Sequence, residues 1–239
     1  MKLDLLAIAA HPDDVELTCG GTLIKMAQLG YKTGVLDLTR GEMGTRGTPE
    51  IRLQEAQHAG EIMGVAVRAN LSLPDARLEL SEKYKLAVAG KIREWQPHTV
   101  ILPYWEGRHP DHYNASRLSY EGCFLAGLKQ LSIAGEAFRP FKILYATAYD
   151  ESVRPSFAVD ITAQFERRHE AILAYESQFR PKRREDSPRV HIPLDELEDR
   201  VNLTSLHYGR MIGVKYAEPF LVREILQVDD VVKMPVRSV

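Results

Sequence analysis

Cysteine, long apolar runs and an excess of charge of either sign are the scarce features of this 239-residue chain. Cys19 and Cys123 are its two cysteines; they form no CxxC pair and are too few to staple an extracellular scaffold, so the expected setting is the reducing cytoplasm. The N-terminal apolar run is short, interrupted by Asp4 and ended by His11-Pro12-Asp13-Asp14, which fits neither a secretory signal nor a membrane span. Thirty-one Lys and Arg against 33 Asp and Glu leave a net charge of -2, so no overall field draws the chain to nucleic acid or an anionic membrane. A small-molecule partner is therefore expected. Internal repeats and low-complexity tracts are absent, and no GxGxxG follows the first apolar run, which removes the dinucleotide fingerprint.

What is present is an alternation of apolar runs with helical periodicity. Strands are expected at 3–10, 32–39, 65–71, 99–103, 143–148 and 157–159. Helices are expected after Gly20-Gly21 as far as Gly30, after Pro49, and over 81–95, 164–176 and 194–212. Strands alternating with helices predict one α/β domain over residues 1–239, a Rossmann-like, mainly parallel sheet covered on both faces, with an elaborated C-terminal third. The polar, proline-containing segment 179–191 reads as a loop, mobile or packed on a neighbouring subunit.

In such sheets ligands collect at the carboxyl ends of strands, and two polar clusters stand there. His11-Pro12-Asp13-Asp14 follows the first strand, and Arg108-His109-Pro110-Asp111-His112 follows the run at 99–103. Three imidazoles and three carboxylates suit zinc, which accepts both donor types and needs only three protein ligands where a position is kept open for water. Either cluster alone would read as a turn with a helix cap; two, each containing His-Pro-Asp at a strand end, point to a metal site. His58, His98 and His169 read as ordinary structural or surface histidines, and Cys19, before Gly20-Gly21, reads as packing.

These motifs resemble those of the PIG-L/LmbE-like zinc-dependent N-acetylglucosamine deacetylases: AHPDD at 10–14 and HPDH at 109–112, with Arg40-Gly-Glu-Met-Gly-Thr45, Arg52-Leu-Gln-Glu55, Leu73-Pro-Asp75 and Glu176-Ser-Gln178 in support. Within that family, Tyr208-Gly209 and Ile212 to Phe220 are similar to deacetylases of N-acetyl-glucosaminyl malate in bacillithiol biosynthesis. The resemblance implies one Zn2+ held by His11, Asp14 and His112, with other divalent metals able to replace it, and Asp13 as general base. It also implies a protonated His109 stabilising the oxyanion, Asp111 orienting an imidazole, and Arg52 and Asp75 bonding sugar hydroxyls. Either Asp13 or His109 could protonate the leaving amine. For a malate carboxylate the candidates are Arg108, Arg40, Arg46 and Lys215, since a cationic donor is required. The expected partner is an amino-sugar, and the expected assembly a homo-oligomer. Free N-acetylglucosamine or chitin oligomers form the alternative substrates. A non-catalytic metal-containing sugar-binding module is disfavoured by Asp13, because binding alone needs no second carboxylate.

Overall fold

The computed structural model describes residues 1–150, 152–179 and 194–236, without the side chains of 194, 195, 197 and 198. The expected loop at 179–191, with His191, therefore lies outside the described residues except for Phe179. The first strand, β1 (Leu5–Ala9), is buried throughout. Its side chains alternate between faces: Leu6 and Ile8 enter one apolar cluster, and Leu5, Ala7 and Ala9 enter a second. A strand apolar on both faces requires covering layers on both.

The remaining elements supply them: α1 (Asp14–Thr18), α2 (Gly20–Gln28), β2 (Thr33–Thr39), α3 (Pro49–Met63), β3 (Val67–Leu73), α4 (Glu82–Trp95), β4 (Thr99–Pro103), α5 (Pro110–Ala126), β5 (Lys142–Ala146), β6 (Phe157–Asp160), α6 (Phe165–Leu173), α7 (Glu176–Phe179), α8 (Leu194–Ile212) and β7 (Ala217–Leu221). Val88, Ile92 and Trp95 of α4 and Leu118 of α5 cover the first face. Leu23 and Ile24 of α2, Ala59 and Met63 of α3, and Ala171 of α6 cover the other. A third cluster joins Ile161, Phe165 and Ile172 to Val201 and Tyr216.

The seven-stranded sheet has the order β3-β2-β1-β4-β5-β7-β6, with β3 to β5 parallel and β7 antiparallel to both its neighbours. The chain leaves β1 toward β2 on one side, whereas β4 leads to β5 on the other, so the order reverses between β1 and β4. That switch point is where the carboxyl-end loops diverge and a crevice opens. Among the described residues no helix is long and apolar enough to cross a membrane.

Three elements went unread in the sequence: the short α1, which precedes the helix expected after Gly20-Gly21, α5 and β7. Helix α5 carries mostly small buried residues, such as Ala115, Ser116, Ser119 and Gly122, so its apolar stripe is faint; its start is marked by His109 at the N-cap and Pro110 in the first turn. Strand β7 contains Pro219, whose carbonyl accepts from the Thr147 amide (3.2 Å) just beyond the end of β5. On that side the missing N–H breaks no paired rung. Smaller differences are that the stretch 14–28 is two helices divided at Cys19, and that the helix expected to 176 breaks after Leu173 before α7 begins.

Candidate metal and catalytic centre

β1 and β4 are adjacent and parallel, so the loops that follow them meet at the switch point. His11 lies in the turn between β1 and α1, Asp13 and Asp14 start α1, and His109, Asp111 and His112 form the first turn of α5. The three imidazoles cluster, with ring centroids 4.9 Å (His11–His109), 5.4 Å (His11–His112) and 4.7 Å (His109–His112) apart.

The partners of each nitrogen decide which groups remain for a cation. Nε2 of His11 is 3.1 Å from Asp75 Oδ1 and 3.4 Å from Asp111 Oδ2, while its Nδ1 is 3.4 Å from Asp14 Oδ2. His112 Nε2 is 3.2 Å from Asp14 Oδ1. Donors arranged tetrahedrally at about 2.0–2.2 Å from zinc stand roughly 3.3–3.6 Å apart, close to these separations. A second grouping, His11 with His109 and Asp111, also converges. Its members are committed elsewhere: Asp111 accepts the amides of Ala76 (2.7 Å) and Leu78 (3.3 Å), and His109 Nδ1 accepts the Asp111 amide (3.2 Å). The donor set therefore fits a divalent metal best at His11, Asp14 and His112. Asp75 and Asp111 then stand behind the His11 ring, the arrangement that fixes a ligating histidine's tautomer.

The electrostatics agree. Among the described residues, Asp13, Asp14, Asp75 and Asp111 face one permanent cation, Arg52. Burial disfavours charge on His11, yet Asp111, Asp14 and Asp75 outweigh it and push the ring up to about 12, so a proton occupies the place of positive charge among carboxylates. Burial likewise opposes the ionised form of Asp14, but His112 and His11 hold its carboxyl well below the usual range. Asp75, despite burial, is drawn down to about 2 by His11 and the Met43 amide. Burial raises Asp13 to about 7, with Arg52 opposing and Asp14 reinforcing the shift. Adjacent aspartates are thus driven in opposite directions by their surroundings. His109 is lowered by burial and by the neighbouring His112 and His11; with its Nδ1 accepting a hydrogen bond, the neutral ring carries its proton on Nε2.

Asp13 has φ +100°, in the region glycine favours, a conformation that costs on the order of 1–3 kcal/mol and persists only when its surroundings impose it. Arg52 imposes it. Its Nη2 donates to Asp13 Oδ2 (2.9 Å) and to the Pro12 carbonyl (2.6 Å), and its Nη1 to the Gly41 carbonyl (3.2 Å). Gly41, at φ +65°, is required for this approach, because a Cβ there would overlap the guanidinium.

The two residues expected to bind sugar hydroxyls have protein partners in this structure. Arg52 grips the Asp13 loop, and Asp75 faces His11 while accepting the Met43 and Ala76 amides. Arg108 is exposed beside His109. Lys215 is not brought to the centre: its ammonium lies 4.8 Å over the Tyr216 ring, part of the third apolar cluster. Arg46 donates to the Gln178 carbonyl (3.4 Å), and Gln178 Nε2 returns a bond to the Arg46 carbonyl (2.8 Å), so these motifs tie the 41–48 loop to α7. Tyr149, which nothing in the sequence singled out, reaches Asp14 with its hydroxyl and stacks on His112. Both cysteines are free and buried, consistent with packing at Cys19.

The sequence pattern of the GlcNAc-PI de-N-acetylase (PIG-L) family matches residues 6–122, which hold every His and Asp of this centre. The diacetylchitobiose deacetylase of Thermococcus kodakarensis is 32% identical over 230 residues, covering 90% of this chain and 80% of that protein. The structure of the conserved protein TT1542 from Thermus thermophilus superposes with a TM-score of 0.84 at 40% identity, over 95% of this chain and 98% of that one. The N,N'-diacetylchitobiose deacetylase of Pyrococcus horikoshii, in complex with an inhibitor, gives 0.78 at 26% identity, over 90% and 82%. Extended identity to a deacetylase over most of both chains, with the His–Asp centre inside the matched pattern, establishes that the chain belongs to the PIG-L/LmbE-like deacetylase family.

Proposed function

We propose that this protein hydrolyses the acetamide of an N-acetylglucosamine unit in a small conjugate, releasing acetate and the free amine. The observation that carries this reading is the divergence of Asp13 and Asp14, one raised to about 7 and gripped by Arg52, the other held ionised between two imidazoles. Two neighbouring carboxylates pushed apart in this way mark one as proton carrier and the other as cation ligand. His11, Asp14 and His112 hold the metal, which when bound supplies a Lewis acid and an activated water. Asp13 accepts the proton of the attacking water. His109, neutral and protonated on Nε2, donates a hydrogen bond to the carbonyl oxygen as its charge grows. Asp13 then returns its proton to the departing amine nitrogen. A protonated His109 is not needed in this scheme, and its lowered pKa disfavours one.

On the sugar's partner group, the reading favours an uncharged conjugate such as diacetylchitobiose. It draws on the activity of the Thermococcus relative and on the dispersal of the cations expected for malate: Lys215 on Tyr216 and Arg46 on α7. The malate conjugate of the bacillithiol route remains a second reading through Arg108, exposed beside His109, and Arg40, exposed directly after β2. A cytoplasmic setting fits the two free thiols. The test is acetate release from diacetylchitobiose, N-acetylglucosamine and N-acetyl-glucosaminyl malate, side by side, with and without chelator. Chelator-sensitive turnover of the uncharged sugars is expected. A preference for the malate conjugate that Arg108→Ala abolishes would reverse the substrate assignment, and no release from any would overturn the activity.

A further inference from the structure

Tyr149 follows β5 on a turn closed by the Asp150 amide donating to the Thr147 carbonyl (3.0 Å) and anchored to β7 by the Thr147 amide on the Pro219 carbonyl (3.2 Å). Its side chain gains little from burial, since 51% of the residue is exposed. Its hydroxyl nevertheless donates to Oδ1 of Asp14 (3.2 Å), a residue only 7% exposed, and its ring lies parallel to that of His112, at 14° and 5.4 Å between centroids. The other Asp14 oxygen, Oδ2, accepts the His11 amide (2.9 Å). Both carboxylate oxygens are thereby fixed, one by backbone and one by Tyr149, and the second is the oxygen that faces His112 Nε2 at 3.2 Å.

Asp14 and His112 come from α1 and α5, between which β2, β3 and β4 intervene in the sequence. Tyr149 touches both. We infer that Tyr149 is a positioning residue of the metal centre, its hydroxyl setting the rotation of the Asp14 carboxylate and its ring buttressing His112, so that the two donors are preorganised for a divalent cation. This rests on the metal centre proposed above. Partners that orient ligating groups alter metal affinity by about 10- to 100-fold.

The experiment compares wild type, Tyr149→Phe, which keeps the ring, and Tyr149→Leu, which removes ring and hydroxyl. Zinc dissociation constants are measured by competition with a chromogenic chelator, visible spectra are recorded on the cobalt-substituted proteins, and melting is followed on the metal-free proteins. The Phe variant is expected to bind zinc about 10-fold more weakly with a shifted cobalt spectrum, the Leu variant more weakly still, with metal-free melting of the Phe variant unchanged. Equal zinc affinity in all three would overturn the role. So would a loss of affinity matched by a drop in metal-free melting of the Phe variant, which would mean a merely structural tyrosine. Wild type that takes up no zinc would instead remove the metal centre itself, and the role with it.

Discussion

At the scale of single residues, the centre depends on Asp13 held in a conformation its backbone disfavours. A fork that donates to a carboxylate and two carbonyls cannot be replaced by a point charge. Arg52→Lys is therefore expected to lower kcat about 10-fold or more with KM for an N-acetylglucosamine substrate little changed, the signature of an interaction that serves the reaction rather than uniform binding. Steady-state kinetics decide it: a raised KM at constant kcat would return Arg52 to the sugar. Asp13→Asn keeps the shape and an oxygen for Arg52 but removes the proton carrier. Turnover should fall about 100-fold or more, while zinc content, measured by atomic absorption, stays at the wild-type value. Zinc lost along with activity would make Asp13 a ligand.

At the scale of elements, the His–Asp residues were legible in the sequence because each cluster is contiguous and each follows an apolar strand, so the sheet alone brings them together. The contacts that support them were not legible. Arg52 is 39 positions from Asp13 and Tyr149 is 135 from Asp14, and only the packing of α3 and of the loop after β5 makes them neighbours. The same holds for the turn after β3, where Ala76 takes φ +59° and its amide and that of Leu78 donate to Asp111 at the start of α5. Asn114, one turn on, donates to the Leu78 carbonyl (2.7 Å). Two elements 35 residues apart are thus closed on one carboxylate. Asp111→Ala leaves the Leu78 amide without its acceptor, at about 1–3 kcal/mol, and leaves the Ala76 amide to Asp75 Oδ1 alone. Urea unfolding of the metal-free protein should show a loss of at least about 1 kcal/mol, and an unchanged midpoint would mean the turn is held otherwise.

At the scale of the whole molecule, the C-terminal third is locked into the N-terminal half. Glu218 on β7 accepts the Gly21 amide (2.8 Å) and the Thr22 amide (2.7 Å) and hydroxyl (2.6 Å), capping α2, and pairs with Arg168 of α6 (3.2 Å). Arg168 in turn donates to the Glu16 and Leu17 carbonyls at the end of α1, directly behind Asp14. Glu218, within the stretch that resembles the malate-specific enzymes, thus carries architecture here. Glu218→Ala would strand a buried guanidinium, a loss of about 3–5 kcal/mol, which urea unfolding of the metal-free variant would show as a lowered midpoint. A metal held by His11, Asp14 and His112 would act on the same folded unit. A cation that binds the native centre and not the unfolded chain stabilises by about 2.7 kcal/mol at 100 times its Kd, and for a chain of this length each kcal/mol moves Tm by roughly 2–4 °C. Adding zinc at that ratio to chelator-stripped protein should therefore raise Tm by about 5–10 °C, and a further tenfold in zinc should add about 1.4 kcal/mol more. Because His11→Ala removes a ligand from a centre crowded with carboxylates, its Tm should respond far less to zinc. A variant that gained the full shift would place the bound ion somewhere other than between His11, Asp14 and His112.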